Sequence, residues 1–203
     1  MGAAMLLAAA CSRSPNAPAA HGVSGAYDKT TNKLLLLTYD RNGNGTIDTW
    51  TDMDGGRPLR SRVDLDEDGR IDRWEYYDAA GKLVKVGFSR QRGDKPDAWA
   101  FSRQDGSLER VDVSTAADES RIDRREYYEG GRMVRSEEDA DRDGRIDTWT
   151  TYDANGGVST ASFDEDRDGR PDHRLTYDGP QLASIESGPD GTGRYTRKES
   201  IQR

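Results

Sequence analysis

The stretch Asp64–Leu83, DLDEDGRIDRWEYYDAAGKL, contains in full a pattern that recurs six times along this chain of 203 residues. It opens with aspartates at every second position and a glycine, continues as an aromatic run, and ends in a turn sequence followed by leucine. The copies begin at Asp40, Asp64, Ser89, Thr115, Asp139 and Asp164, at spacings of 24 to 26 residues. Such a short, nearly constant period is typical of a tandem repeat, in which each unit packs against its neighbours.

Several positions of the unit, numbered from its first residue, keep one residue type. Position 9 is aspartate in all six copies, and position 11 holds all four tryptophans of the chain. Position 14 is mostly tyrosine, and position 20 is leucine or valine in the first five copies. Tryptophan confined to one position indicates the same packing role in each unit, so we expect positions 11 and 20 to be buried between neighbouring units.

Each unit has the pattern of a β-hairpin. In the fifth copy, the strand-forming run Ile146–Tyr152 is followed by the turn residues Asp153–Gly157 and by a second run, Val158–Phe163. A helix after the aspartate-rich segment is the alternative, but turn glycines follow within about six residues, which is too short for a stable helix. The sequence therefore predicts an all-β fold, an elongated array of about six 25-residue β-hairpin repeats, each preceded by an aspartate-rich loop.

The first twelve positions match D-x-[DN]-x-[DN]-G, the calcium-loop pattern of EF-hands, which ends in an acidic residue at position 12. Calcium takes about six to eight oxygen ligands. Side chains at positions 1, 3 and 5 supply some, glycine at 6 permits the sharp turn, and position 7 offers its backbone carbonyl. Position 9 contributes directly or through water. Its aspartate persists in copies that have lost other ligands, which predicts a structural hydrogen-bonding role as well.

Four copies keep this set and predict about four EF-hand-like Ca²⁺ sites. The predicted ligands are Asp40, Asn42, Asn44, Thr46 and Asp48; Asp64, Asp66, Asp68, Arg70, Asp72 and Glu75; Asp139, Asp141, Asp143, Arg145 and Asp147; and Asp164, Asp166, Asp168, Arg170 and Asp172. Only Glu75 is acidic at position 12, so we expect weaker binding at the other three sites. Metal binding by the copies at Ser89 and Thr115 stays open. Metal-free Asp/Gly turns are the alternative, but turns do not require crowded carboxylates.

The loops resemble those of EF-hand-like modules such as dockerins and thrombospondin type-three repeats. The hairpin half, with Tyr76-Tyr77-Asp78 leading to Gly81 and Leu83, resembles bacterial hairpin repeats of the MORN-like kind. Together they resemble a bacterial lipoprotein built of calcium-loop and β-hairpin tandem repeats, over residues 40–200. The resemblance implies calcium as cofactor and no single activity. Because the flanking helices of an EF-hand are missing from the pattern, it implies no calmodulin-like groove.

The N-terminal segment 1–11, MGAAMLLAAAC, predicts a lipoprotein-type signal whose lipobox cysteine, Cys11, is lipidated. An ordinary secretory signal and an apolar tail with a chance cysteine are the alternatives. Residues 12–25 are predicted to be a flexible tether and 26–203 the repeat domain, with partial units as caps at both ends, including Asp190–Tyr195. We therefore expect a protein that is lipid-anchored in the bacterial cell envelope, in the periplasm or at the outer-membrane surface, or that is secreted.

The composition limits the possible functions. A net charge of −8 disfavours nucleic acid as a partner, and no apolar run is long enough to span a bilayer, so we expect membrane contact by the lipid anchor only. No catalytic motif is present. The first hypothesis is a non-enzymatic calcium-binding lipoprotein, a scaffold or surface module for an unknown protein or cell-surface polymer. The alternatives are a structural subunit of an envelope or secreted complex, which calcium only rigidifies, and a polysaccharide-active enzyme.

Overall fold

The computed structural model describes residues 22–201 as one antiparallel sheet of 15 strands. The strands are β1 (Val23–Tyr27), β2 (Leu34–Tyr39), β3 (Thr49–Asp54), β4 (Arg57–Val63), β5 (Arg73–Tyr77), β6 (Leu83–Phe88), β7 (Ala98–Ser102), β8 (Leu108–Val113), β9 (Arg124–Glu129), β10 (Arg132–Glu138), β11 (Thr148–Tyr152), β12 (Val158–Phe163), β13 (His173–Asp178), β14 (Gln181–Pro189) and β15 (Tyr195–Ser200). They lie in the sheet in sequence order. The predicted all-β array of hairpins is thereby confirmed, and the described residues include no helix that could cross a membrane.

From β1 to β14 the connections alternate between tight turns and long loops. Six loops, numbered in chain order, join β2 to β3, β4 to β5, β6 to β7, β8 to β9, β10 to β11 and β12 to β13. An antiparallel chain reverses at every connection, so the six loops lie along one long side of the sheet and the hairpin turns between them lie along the other. One side of the sheet therefore carries the aspartate-rich segments.

Backbone hydrogen bonds join successive loops. The N–H of Asp64, at position 1 of loop 2, donates to the carbonyl of Asp48, at position 9 of loop 1 (2.9 Å). The same bond joins loops 4 and 5 and loops 5 and 6. In loop 4 the equivalent donor is Ser114 and not Thr115, which opens the fourth copy in the sequence alignment. The fourth unit thus begins one residue earlier, because its loop holds one extra residue before Asp123.

Both ends of the array differ in detail from the sequence expectation. β1 begins at Val23, so the last three residues of the predicted tether belong to the sheet. Asp190–Tyr195 was expected to be the front half of a decayed unit. It forms instead a tight turn, in which the N–H of Asp190 donates to the carbonyl of Arg194 (2.8 Å). The predicted signal segment that ends at Cys11 lies outside the described residues.

The sheet is a single layer. Within residues 22–201 each strand contacts only the strands beside it. The buried apolar side chains are Val63, Trp74, Ala98, Trp99, Val111 and Ala161. At position 11, Trp50 and Trp149 are half-buried, and at position 20 Leu59 and Leu83 are each 41% exposed. The prediction of burial is confirmed for Trp74 and Trp99. It is wrong for Leu59 and Leu83, because a one-layer sheet has no facing surface to cover them.

Candidate metal centre

The aspartate at position 1 holds the backbone of its own loop. In loop 1, Asp40 Oδ1 accepts the N–H of Gly43 (2.7 Å) and its Oδ2 accepts the N–H of Gly45 (2.8 Å). Asp139 and Asp164 accept N–H groups of loops 5 and 6 in the same way. All of these aspartates are buried. Position 1 therefore shapes the loop from inside. In loops 5 and 6 each carboxylate oxygen accepts one N–H group and keeps a second lone pair for a cation, whereas Asp40 Oδ1 accepts a second N–H group, that of Asn44 (3.2 Å).

The aspartate at position 9 fixes the start of each loop. Its carboxylate accepts the backbone N–H at position 2, as from Leu65 to Asp72 Oδ2 (2.6 Å) and from Arg90 to Asp97 Oδ1 (2.7 Å). The full set of acceptors is Asp48, Asp72, Asp97, Asp123, Asp147 and Asp172. Loops 3 and 4 keep this bond although they have lost most of the other acidic residues. The structural role predicted for position 9 is therefore confirmed.

In three loops the carboxylates at positions 1, 3 and 9 come together. The groups are Asp64, Asp66 and Asp72; Asp139, Asp141 and Asp147; and Asp164, Asp166 and Asp172. Within each group, one oxygen of each carboxylate lies within 4.8 Å of the others. Hard divalent cations are bound by such oxygens, so these three groups could each hold a metal ion.

Positions 5 and 7 support the loop beside each group. The predicted carbonyl ligands Thr46, Arg70, Arg145 and Arg170 donate their backbone N–H to side-chain oxygens of Asn44, Asp68, Asp143 and Asp168 at 2.8–2.9 Å. The three aspartates at position 5 are not members of the three-carboxylate groups. Their side chains form local turns, a common use of aspartate that competes with regular secondary structure.

Glu75, the predicted acidic ligand at position 12, lies on the sheet. It belongs to β5, where its Oε2 accepts the hydroxyl of Tyr77 (2.5 Å) and its Oε1 pairs with the guanidinium of Arg73 (2.8 Å). Burial, and then the hydrogen bond to Glu75, raise the pKa of Tyr77. Glu75 is not a member of the loop 2 group. Without its two oxygens, part of the coordination shell of an ion in loop 2 is left open.

Asp64 has an unsatisfied oxygen in the loop 2 group. The residue is 5% exposed, and its Oδ2 accepts the N–H of Gly69 (2.9 Å), whereas its Oδ1 is buried without a hydrogen-bond partner among the described residues. Leaving a buried acceptor unpaired costs about 1–3 kcal/mol, and more for a charged group. The equivalent aspartates of loops 1, 5 and 6 use both oxygens. A cation held with Asp66 and Asp72 would supply the missing partner.

Loop 1 is completed by its neighbour. Asn42 and Asn44 replace the acids at positions 3 and 5, and both side-chain amides donate to Glu67 of loop 2, at 2.6 Å from Asn44 Nδ2 to Oε2. Asp40 and Asp48 remain the acids of the loop itself. Glu67, at position 4 of its own loop, thus brings a carboxylate from the second repeat to the predicted ligands of the first.

Loop 5 has a cation from the protein itself beside its acidic group. The guanidinium of Arg167, at position 4 of loop 6, donates to Asp141 Oδ2 (2.5 Å) and lies 3.8 Å from Asp143 Oδ2. Arg145 in turn donates to the backbone carbonyl of Arg167 (3.3 Å). An ion in loop 5 would therefore compete with the guanidinium of Arg167. In the loop 2 group no arginine side chain of the described residues donates to Asp64, Asp66 or Asp72.

Loops 3 and 4 contribute no three-carboxylate group within the described residues, and ion pairs connect the sheet there. Arg90 of loop 3 donates to both carboxylate oxygens of Glu126 on β9 (3.2 and 2.7 Å). Arg124 donates to Glu126 (3.1 Å) and to Glu138 (2.6 Å). Burial raises the pKa of Glu126, but Arg90, followed by Tyr128 and Arg124, together outweigh this and hold the pKa below its ordinary value. The centre of the array is therefore cross-linked by its own side chains.

No family model and no curated protein sequence matches this chain. Among solved structures, a mutant of S. aureus TarM in complex with Fondaparinux, alpha-GlcNAc-glycerol and UDP is 13% identical over 48% of this chain and 19% of that chain, with a TM-score of 0.38. A second TarM structure is 12% identical over 50% and 20%, with a TM-score of 0.39. The TcdB2–TccC3–Cdc42 structure is 16% identical over 82% and 10%, with a TM-score of 0.25. This chain spans about a fifth or less of the matched chains, and likenesses this weak carry no functional argument.

Position 4 was not singled out by the sequence pattern, yet in three copies its side chain lies against the preceding loop. Glu67 contacts loop 1, Arg167 contacts loop 5, and Arg92 of loop 3 lines a cavity together with Asp66 and Asp68 of loop 2. The residue types at this position differ from copy to copy, so a search for recurring residues does not find it. The one available signal is Gly43, which occupies position 4 in loop 1.

Proposed function

We propose that the protein is a non-enzymatic, calcium-binding repeat protein whose sheet is stabilised by ions in its loops and which a lipid on Cys11 holds at the bacterial cell envelope. The observation that carries the proposal is the loop 2 group, where three carboxylates meet and buried Asp64 has an oxygen without a partner. Calcium fits better than magnesium, because magnesium demands near-ideal octahedral geometry and gives up its water reluctantly.

The size of the core supports a stabilising role for the ions. A single-layer sheet with six buried apolar side chains gains little from the hydrophobic effect, and the net charge of −8 opposes compaction. A ligand that binds only the folded chain adds about 2.7 kcal/mol when present at 100 times its dissociation constant. Several weak calcium sites together would therefore be a substantial part of the stability of a small protein.

The arrangement of the acids favours binding over catalysis. A glycosidase requires two carboxyl groups on opposite sides of a bound sugar, one of them as a general acid. In each of loops 2, 5 and 6, three carboxylates of the same loop lie together. The carboxylate at position 9 also accepts a backbone N–H group. Such groups suit a cation better than a substrate placed between them.

Calcium titration by isothermal calorimetry of the chelator-treated chain tests the metal site. We expect binding heat from calcium, a weaker response to magnesium, and weaker calcium binding at one site in Asp66→Asn, where a neutral amide oxygen replaces a carboxylate. The substitution keeps shape and hydrogen-bonding oxygen, and Asn42 occupies the same position in loop 1, so the loop should fold. Asp105→Asn, in the turn between β7 and β8, is the matched control. Absence of heat, or an equal loss in both variants, would refute the proposal.

The anchor is tested separately. The full chain expressed in a bacterium should partition into the detergent phase of a Triton X-114 extraction, because a lipid chain contributes about 0.8 kcal/mol per buried methylene. Cys11→Ser should move it to the aqueous phase. Equal partition of both proteins would exclude lipidation of Cys11 without bearing on calcium.

A further inference from the structure

We propose that loops 2 and 3 together form a calcium-dependent site for a carboxylate-bearing saccharide. In this site the ion of loop 2 and the guanidinium groups of Arg70 and Arg92 bind the carboxylate of the ligand. The inference rests on the proposed calcium binding by loop 2.

A cavity between the two loops is the structural basis. It is lined by Asp66, Asp68, Arg70, Ile71 and Asp72 of loop 2 and by Ser89, Arg92 and Gly93 of loop 3. Asp66 and Asp72 belong to the three-carboxylate group, whose third member, Asp64, is 5% exposed and has the oxygen without a partner. The cavity thus adjoins the point at which the protein itself lacks a cation.

An ion in this group would have free coordination positions. Calcium takes about six to eight oxygens, and the group supplies three carboxylates. Glu75, which would close the shell in an EF-hand, is held on β5 by Tyr77 and Arg73. The remaining positions are open to water or to a carboxylate of a ligand that enters the cavity.

The two arginines are free to meet such a carboxylate. Among the described residues neither guanidinium has a hydrogen-bond or ion-pair partner, although three aspartates line the same cavity. Planar guanidinium groups bind carboxylates strongly and with defined geometry. Without an ion the aspartates would repel an anion; with calcium bound, that repulsion is removed and the arginines add attraction.

The lining favours a saccharide over a peptide. Ile71 is its one apolar side chain, so the cavity offers little to the apolar parts of a peptide, while Ser89 and the two arginines can hydrogen-bond to sugar hydroxyls. The cavity between loops 5 and 6 is different. There Arg167 is engaged by Asp141, and loop 6 adds the acids Asp164 and Glu165 to the lining. That cavity serves as an internal comparison.

Calorimetric titration of the calcium-saturated full chain with a short oligogalacturonate tests the proposal. We expect binding that EDTA abolishes and that a neutral malto-oligosaccharide of equal length does not show. Arg92→Gln should weaken oligogalacturonate binding about tenfold or more, as expected for a lost charged hydrogen bond, and leave calcium binding unchanged. Arg167→Gln, the equivalent position of loop 6, should leave oligogalacturonate binding unchanged.

The outcomes separate the two proposals. No calcium binding in any variant refutes the proposed function. Calcium binding without oligogalacturonate binding, or binding that survives EDTA or Arg92→Gln, overturns the saccharide site alone. Tighter binding of a poly-glutamate peptide than of the oligogalacturonate also overturns it, since the ligand would then be an acidic peptide.

Discussion

At position 4 of every loop the backbone is left-handed, with φ between 51° and 74°, although only Gly43 among the six residues is glycine. Other residues pay about 1–2 kcal/mol for this conformation. In loops 1, 2, 5 and 6 an aspartate at position 1 accepts backbone N–H groups of the same loop, and in loops 3 and 4 a serine at position 1 accepts one. In loop 6, Asp164 accepts the N–H groups of Arg167 and Gly169, each at 2.7 Å. In loops 2, 3 and 6 this turn places the position-4 residue, Glu67, Arg92 or Arg167, next to the preceding loop.

Gly69→Ala should lower the free energy of unfolding of the calcium-loaded protein by about 1–2 kcal/mol. Gly69 has φ +89°, and an added Cβ would meet nothing within 4 Å among the described residues, so the cost is one of backbone conformation alone. Gly56→Ala is the matched control, since its surroundings are equally open and its φ is not positive. Urea denaturation followed by circular dichroism measures both; an equal loss in the two variants would contradict this account.

The ion pairs of Asp54 make stability depend on pH in a defined range. Hydrogen bonds from Lys33 and then from Arg57 lower the pKa of Asp54 from 3.8 to about 2. Because the pKa is depressed in the folded state, the contribution is complete above about pH 4 and is lost as the pH falls towards 2. The difference in stability between the natural chain and Asp54→Asn should therefore shrink over this range. Urea denaturation in EDTA at several pH values measures it, and a constant difference would contradict the assignment.

The residue pattern predicted some roles well and missed others for physical reasons. Position 9 could be recognised because its aspartate persists without other ligands, and Asp97 indeed holds loop 3. The place of Glu75 could not, because a motif records spacing along the chain and not the competition of Tyr77 and Arg73 for the same carboxylate. The unsatisfied oxygen of Asp64 likewise depends on the three-dimensional shape of its loop.

At the scale of strands, a glycine lets two tryptophans approach across the sheet. Gly87 on β6 pairs with Trp74 on β5 and with Trp99 on β7. A Cβ built at Gly87 would lie 2.9 Å from Pro96 Cβ and 3.4 Å from Trp74 Cβ. Close packing of these side chains therefore requires glycine here, and the best-packed part of the small core depends on it.

Gly87→Ala should destabilise the protein by about 1–2 kcal/mol. Alanine loses less backbone entropy on folding than glycine, which favours the variant by about 0.5–1 kcal/mol. Overpacking against Pro96 costs about 1–3 kcal/mol, so the steric effect dominates. Tryptophan fluorescence during thermal unfolding measures the change. Gly191→Ala, in an open turn without positive φ, is the control and should leave the melting temperature nearly unchanged. A Gly87 variant as stable as this control would show that Pro96 moves aside.

The hairpins themselves were predictable because aromatic and β-branched runs alternate with turn residues at a short period. The single layer was not, because the alternation of a strand shows which residues share a face and not whether another element covers that face. Exposed Leu59 and Leu83 show the consequence. The sequence pattern also placed the start of the fourth unit at Thr115 instead of Ser114. Because loop 4 lacks the acidic pattern, the position of its one extra residue could not be located from the sequence.

Across the whole molecule, some loops carry acidic groups that could bind ions, and other units are joined by ion pairs and hydrogen bonds. Loops 2, 5 and 6 gather carboxylates suited to cations, whereas arginine–glutamate ion pairs connect the centre. Arg90 reaches from loop 3 to Glu126 on β9, and Arg103 donates to the carbonyl of Tyr128 (2.8 Å). Both contacts connect the third unit to the fourth without a metal. The units that lack metal ligands are therefore joined by direct contacts of their own side chains.

Removing calcium should consequently loosen the array unevenly. In hydrogen exchange measured by mass spectrometry, EDTA should speed exchange in peptides that cover loops 2 and 6, because their clustered carboxylates then repel one another. The effect should be smaller in loop 5, where Arg167 donates to Asp141. Peptides that cover β8 and β9 should keep their protection. Glu126→Gln should show the reverse in calcium, with faster exchange at the centre, since it leaves Arg90 and Arg124 without their shared carboxylate. Uniform loss of protection in EDTA would mean that the sheet unfolds as one cooperative unit, and that the ion pairs of the centre do not suffice without metal.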